Sequence, residues 1–246
     1  MCSASSPSPS EEPELAPGEP GLHLARPIPA TWLLVGLLVV VHLASAVHLS
    51  GHGEGPLWEA ALLGRSPRGR GIVGGQVLSL LDAEPWRLAS SVLLHADGLH
   101  LLVNAGSLWG MGRLLEPWVG SLRVLGWFAA GGLGGSLLSG LLGVPRSDGA
   151  SGAVFALLGA AVVLGLRHRA AMRPDDRTLY GPVLGGLLVA NLVLSFLLPF
   201  IDASSHLGGL AVGLVVGALP WGRLEQGLWG FLVAGFGTAV AFGYVA

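Results

Sequence analysis

The chain has 246 residues, of which 52% are hydrophobic and only 11% charged, with a formal net charge of −2. Soluble domains carry about a quarter charged residues, so an ordinary soluble globule is excluded. The near-neutral balance, with no dense basic patch, also excludes nucleic acid as a partner. The single cysteine, Cys2, rules out an intramolecular disulfide or a CxxC metal site.

Residues 1–28 are dominated by Ser, Pro, Glu and Gly and read as a disordered tail. They lack the charged, apolar and small-residue succession of a cleaved signal peptide, so the first apolar run is expected to stay in the mature protein. That run, 31–48, is close to the ~20 residues that a bilayer requires. The stretch 49–94 is the longest interruption. Its apolar pieces, 57–63 and 72–81, are too short to span, and Arg65, Arg68 and Arg70 lie between them. It reads as a loop with one or two short interfacial helices, with Trp58 and Trp86 suited to headgroup depth.

Further spans follow at about 95–115, 121–142, 151–167, 179–199, 204–221 and 227–245. The breaks fall at Glu116-Pro117, 145–148, 167–177, 199–202 and 221–226. The forty glycines suit helices that pack closely in lipid, where small residues let backbones approach. The fold class is therefore an all-α, multi-pass membrane protein. No internal repeat suggests a transporter of two related halves. Arginines favour a cytoplasmic N-terminus: eight fall on the cytoplasmic side in that orientation and five outside.

From a cytoplasmic start, the second, fourth and sixth spans all enter from the outer face. Three polar sets then lie at similar depth: His95, His100 and Asn104 in the first turns of the second, Ser151 opening the fourth, and His206 near the start of the sixth. His100 and Asn104 are four apart and share a helix face. Gly152, Ala156 and Gly159 form one small-residue stripe, and Gly209, Gly213 and Gly217 form another. A close crossing of the two would bring Ser151 within hydrogen-bond reach of His206. A neutral His206 can take the Ser151 proton and return it to a leaving amine. His100, Asn104 and the Ser151 backbone N–H can donate to the oxyanion, and Gly149 and Gly152 leave room for a substrate backbone.

The set Trp86-Arg87, His95…His100…Asn104, Gly149-Ala150-Ser151-Gly152 and His206-Leu207-Gly208-Gly209 resembles the rhomboid intramembrane serine proteases over residues 30–221. The resemblance implies a six-helix core, residues 29–222, followed by one further transmembrane helix, 223–246. It implies a Ser151–His206 dyad, an oxyanion hole of His100 and Asn104, and no cofactor. A first loop packed sideways at the interface and a fifth helix that controls substrate access belong to the same pattern. Phe155 stands where many members carry a Tyr whose ring packs beside the catalytic histidine. The expected partners are the lipid bilayer and single-pass membrane proteins, cut near their outer end in a bacterial plasma membrane.

Three other readings are weaker. A catalytically silent protein that binds transmembrane clients could lose Ser151 or His206, yet both are present. A channel is disfavoured because the polar cluster occupies one side only. His95, His100 and His206 as zinc ligands lack an HExxH signature. His42 is expected to be a neutral histidine satisfied by a neighbouring helix, Asn191 and Ser195 to be interhelical hydrogen-bonders, and Glu116 to be structural, paired to Arg113 or a cytoplasmic loop. Asp202 is expected to cap the sixth helix rather than join a triad.

Overall fold

The computed structural model of the protein describes residues 26–245 except Glu54, Arg65 and Trp221; residues 1–25, most of the expected tail, lie outside the described part. The fold is all-α. Helix α1 (Pro29–Gly51) leads into three short helices, α2 (Leu57–Leu62), α3 (Pro67–Ile72) and α4 (Arg87–Leu93). Then come α5 (Gly98–Val119), α6 (Ser121–Leu141) and α7 (Ser151–Arg167). The short α8 (Pro174–Thr178) continues through a π turn into α9 (Leu184–Leu197), followed by α10 (Ala203–Ala218) and α11 (Arg223–Val245). Among the described residues four segments, 29–51, 121–141, 174–197 and 226–243, are long and apolar enough to cross a membrane, and α7 and α10 are shorter apolar helices. The protein is an integral membrane protein.

Helix ends depart from expectation for local reasons. Helix α5 runs through the expected break at Glu116-Pro117 to Val119. A proline this close to a helix end removes only one hydrogen bond, and the stop is made instead by Gly120 at φ +87°. At its other end α5 begins at Gly98, after the cap Asp97, so His95 precedes it rather than lying in its first turn. The fifth span starts earlier than expected, with Pro174 at its first position and Asp175 and Asp176 in its first turn. Pro182, which has no N–H to give, falls inside the π turn Leu179–Val183. The first loop holds three helices rather than one or two.

Helix α7 is the axis of the bundle: Ala153, Ala156, Leu157, Ala160, Ala161 and Leu164 are wholly buried. Its neighbour α6 buries 56% of its spanning stretch, whereas the α8–α9 segment buries 17% and α11 11%. Helices α9 and α11 therefore present most of their apolar surface outward, as lipid-facing helices do. Helix α11 docks on α6 through Trp229, edge-on to Trp127 with ring centroids 6.5 Å apart, and over Gly126, where a side chain would collide with the Trp229 ring. At its far end Gly243 lies against Trp86, so Trp86 serves as a docking surface for α11.

Two carboxylates, the buried Glu116 and the half-buried Asp202, tie helix ends together. Glu116 accepts from the backbone N–H groups of Ala30 and Thr31, each at 2.8 Å, and from the hydroxyls of Thr31 (2.5 Å) and Ser121 (2.7 Å). It therefore satisfies the open N-terminus of α1, in place of the expected pairing with Arg113 or a cytoplasmic loop. Asp202 caps α10 by accepting from Ser204 N (3.0 Å) and Ser205 N (3.2 Å). Its other oxygen accepts from Ser147 Oγ at 2.6 Å and from Ser139 Oγ. One side chain thus joins α6, the connection before α7 and the start of α10.

Candidate active site

Residues 142–150 deliver the chain to Ser151, and the first loop holds them from the side. A two-residue strand, β1 (Gln76–Val77), pairs antiparallel with β2 (Arg146–Ser147), Gln76 opposite Ser147. Arg70 forms an ion pair with Asp148 at 3.1 Å, and Asp148 also accepts from Gln76 N at 3.2 Å. The loop is in turn ordered by Arg87, which donates to the carbonyls of Gly71 and Gly75, both at 2.8 Å. Its neighbour Ser90 donates to Gly74 O at 2.6 Å. A buried guanidinium shared between two carbonyls needs such partners to be tolerated at all. The long loop is thus a brace for the segment that leads into α7.

The brace ends at Gly149, whose N–H donates to Ser91 O at 2.9 Å. Its φ is +125°, a region L-residues seldom occupy, and a Cβ there would stand 2.8 Å from Cε1 and 2.9 Å from Nε2 of His100. Glycine is required on both counts. His100 therefore lies with its Nε2 edge over the residue two before Ser151. Its own N–H is capped by Asp97 at 2.7 Å, and its Nδ1 is 3.4 Å from Ala96 N. Asn104, one turn further, is buried and donates from Nδ2 to His100 O at 2.9 Å. His95 is fully buried with its ring edge-on to His100, centroids 5.1 Å apart, and it also faces His42 at 6.5 Å. His42, in α1, bonds Ala61 O of α2 at 2.9 Å.

Ser151 is the first residue of α7, at the end where N–H groups are unsatisfied and the helix dipole is positive. Helix α10 crosses here almost backbone on backbone. A Cβ on Gly209 would stand 2.6 Å from the carbonyl carbon of Gly152, and one on Gly213 would stand 2.7 Å from Cα of Ala156. At Gly217 the next contact, with Cα of Ala160, is at 3.0 Å. The stripes pair Gly152 with Gly209, Ala156 with Gly213 and Ala160 with Gly217. Gly159 instead faces Leu210. Close approach on this scale is how small residues hold membrane helices together.

The crossing sets His206 against the first turn of α7. Its ring lies flat on Phe155, centroids 4.2 Å apart and planes 18° from parallel, and Phe155 is four residues, one turn, below Ser151. Among the described residues the Ser151 hydroxyl is not hydrogen-bonded to His206; contacts of this kind commonly close only when substrate is bound. The nitrogen of His206 that is bonded is Nδ1, 2.6 Å from Ser195 Oγ of α9. Ser195 is the interhelical hydrogen-bonder expected of it, and its partner on α10 is a candidate site residue. No spacing rule joins positions 195 and 206, because the chain between them leaves one helix and enters another. Asp202 is occupied by its four partners, as befits a cap. Among the described residues no group of three His, Cys, Asp or Glu side chains is placed to hold a metal ion.

Comparison with known proteins shows the family of the chain. The family profile described as Rhomboid domain matches residues 82–223, more than half of the chain. RHOMBOID-like protein 5 of Arabidopsis thaliana is 37% identical over 176 residues, 70% of this chain and 56% of that protein. Rhomboid protease GluP of Bacillus subtilis (strain 168) is 35% identical over 139 residues, 56% of this chain and 27% of its own length. Rhomboid protease GlpG of Haemophilus influenzae is 26% identical over 152 residues, 60% of this chain and 73% of its own. The chain thus spans little more than half of the first of these relatives and about a quarter of the second.

Proposed function

Because the chain belongs to the rhomboid family, we propose that it is an intramembrane serine endopeptidase that cuts membrane proteins in or next to their transmembrane segments through a Ser151–His206 dyad. The observation that carries this reading is the crossing of α7 and α10. It stacks the His206 ring on Phe155, one turn below Ser151 at the start of α7, which supports the pairing of the two. In the proposed cycle His206 takes the Ser151 proton as Oγ attacks the scissile carbonyl, then gives it to the departing amine, leaving an acyl-enzyme. Water, activated by the same imidazole, then releases the acid product.

Electrostatics favour the tetrahedral oxyanion at this place. The free N–H groups of the first turn of α7 point toward it with the helix dipole behind them. The Ala96 N–H faces His100 Nδ1, so the proton of a neutral His100 belongs on Nε2, the edge over Gly149, where it is a donor. Asn104 uses one of its two amide hydrogens on His100 O and keeps the other. His95 supports the His100 ring by edge contact and takes no part in the chemistry.

Depth follows from helix length. The 17 residues of α7 and 16 of α10 rise about 26 Å and 24 Å, less than the ~30 Å hydrocarbon thickness. If their far ends reach one surface, Ser151 lies beneath the other, within the bilayer. Water must then reach it from that nearer side, which is the outer face when the N-terminus is cytoplasmic. A substrate helix has its amides already hydrogen-bonded, so the segment to be cut must unwind locally. Single-pass proteins are the proposed substrates, and the plasma membrane the proposed location.

The test is cleavage of a tagged single-pass reporter in membranes by wild type, Ser151→Ala and His206→Ala. The expected result is cleavage by wild type that both substitutions abolish at equal expression. Cleavage that persists in either variant would overturn the dyad. A silent wild type whose Ser151 also fails to react with a fluorophosphonate would favour the client-binding reading instead.

A further inference from the structure

The neighbourhood of His206 contains one polar group that the dyad leaves unused. Ser195 is 3% exposed, in the last turn of α9. Its Oγ lies 2.6 Å from the carbonyl oxygen of Asn191, one turn back in the same helix, and 2.6 Å from His206 Nδ1. A hydroxyl has a single hydrogen to donate but can accept as well. The Asn191 carbonyl has no hydrogen, so the short contact to it is made only if Ser195 donates. The Ser195 oxygen must then accept from His206, which requires the ring hydrogen to be on Nδ1. The lone pair is left on Nε2.

We infer that Ser195 is a positioning residue that fixes His206 as the Nδ1–H tautomer, with Nε2 presented as the base for Ser151. This rests on the proposed function. It assigns to a neutral hydroxyl on α9 the place that a carboxylate takes in a Ser–His–Asp triad. The nearby carboxylate, Asp202, is spent on two backbone N–H groups and two serines. Two contacts fix the imidazole: the face of Phe155 sets its plane, and Ser195 sets the rotation within that plane and the tautomer. Without Ser195 the ring is free to place its proton on Nε2, the form that cannot accept from Ser151.

The position is also informative because α9 faces lipid over most of its length. Phe196 and Leu197, next to Ser195, are 66% and 68% exposed. The Ser195–His206 bond therefore joins the dyad to a weakly buried helix, and the base is correctly set only while the end of α9 is seated.

The experiment compares wild type with Ser195→Thr and Ser195→Val, two variants of equal shape that differ only in the hydroxyl, with Ser151→Ala as blank. Turnover and KM for the single-pass reporter, the rate of fluorophosphonate labelling of Ser151, and thermal unfolding in detergent are measured together. A hydrogen bond of this class is worth up to about tenfold in a rate, and the wrong tautomer costs more. The expected result is a drop of about tenfold or more in kcat and in labelling for Ser195→Val, with KM unchanged. Ser195→Thr, whose hydroxyl can still bond the carbonyl one turn back, recovers most of both.

Equal activity in the valine variant and wild type would overturn the proposal while leaving the protease reading intact. So would an equal loss in both variants, or a loss that tracks unfolding, since either assigns the residue to packing. If wild type neither cleaves nor labels above the Ser151→Ala blank, the protease reading fails and this inference with it.

Discussion

Gly209→Ala tests the crossing on which the site depends. The new Cβ would stand 2.6 Å from the carbonyl carbon and 2.8 Å from Cα of Gly152. Carbon atoms rest about 3.5–4.0 Å apart, so the two helices must separate by roughly 1 Å at the residue that follows Ser151. The obstacle is backbone of the central helix, which cannot swing aside as a side chain would. Overpacking of this sort costs about 1–3 kcal/mol, and a misplacement of about 1 Å between reacting groups costs about 100-fold in rate. The expected outcome is therefore a protein that still inserts, melts at a lower temperature in detergent, and cleaves the reporter about 100-fold more slowly, with Ser151 labelling reduced in parallel. Gly186→Ala is the control: it is helical in α9 with nothing within 4 Å of its added Cβ, and alanine is the better helix former by about 1 kcal/mol. A Gly209→Ala protein with wild-type melting and cleavage within twofold of wild type would refute the crossing and the site built on it.

Two further substitutions probe the carboxylates that tie helix ends together. Asp202→Ala removes an N-cap and leaves Ser139 and Ser147 without their acceptor; loss of the cap alone costs about 1 kcal/mol, and the unpaired hydroxyls add to it. The measured consequences are a lower unfolding midpoint and slower Ser151 labelling, because the connection before α7 is released; unchanged labelling would show that the connection is held by the first loop alone. Glu116→Ala strips three hydrogen bonds at the start of α1, two from buried backbone donors, and one at the start of α6, for about 2–4 kcal/mol. Limited proteolysis should then cut the chain ahead of Pro29 or in α1 well before it cuts α6 or α7, and uniform resistance would show that α1 is held by its apolar face.

What could be read from the sequence was whatever repeats at helical spacing. The small-residue stripes foretold the close crossing of α7 and α10, because residues one turn apart share a face whatever surrounds them, although Ala160 rather than Gly159 meets Gly217 and, among the described residues, Ser151 makes no hydrogen bond to His206. The partner of Ser195 escaped for the opposite reason. A serine in a membrane helix commonly bonds the carbonyl four residues back, and Ser195 does so; that local role hides the second contact, which depends on how α9 is seated. Glu116 was read as structural, but its partners are 85 and 86 residues away in sequence, beyond the reach of any spacing argument. In the first loop, a two-residue strand pair and three helices of six or seven residues are too short to leave a period. They are fixed by Arg87, Ser90 and Asp148, single side chains that each bond backbone atoms with no sequence signature.

The Glu116 cap also sets an order of events during synthesis. Helix α1 leaves the ribosome with the N–H groups of Ala30 and Thr31 open, and their acceptor is made some 85 residues later. Unpaired amides do not enter hydrocarbon without cost, so until α5 arrives the head of α1 has to stay where water can reach it. Insertion of the first helix is thereby completed only when the second long helix has threaded back beside it. A chain arrested before Glu116 would hold α1 in the bilayer by its apolar face alone, with its head still wet.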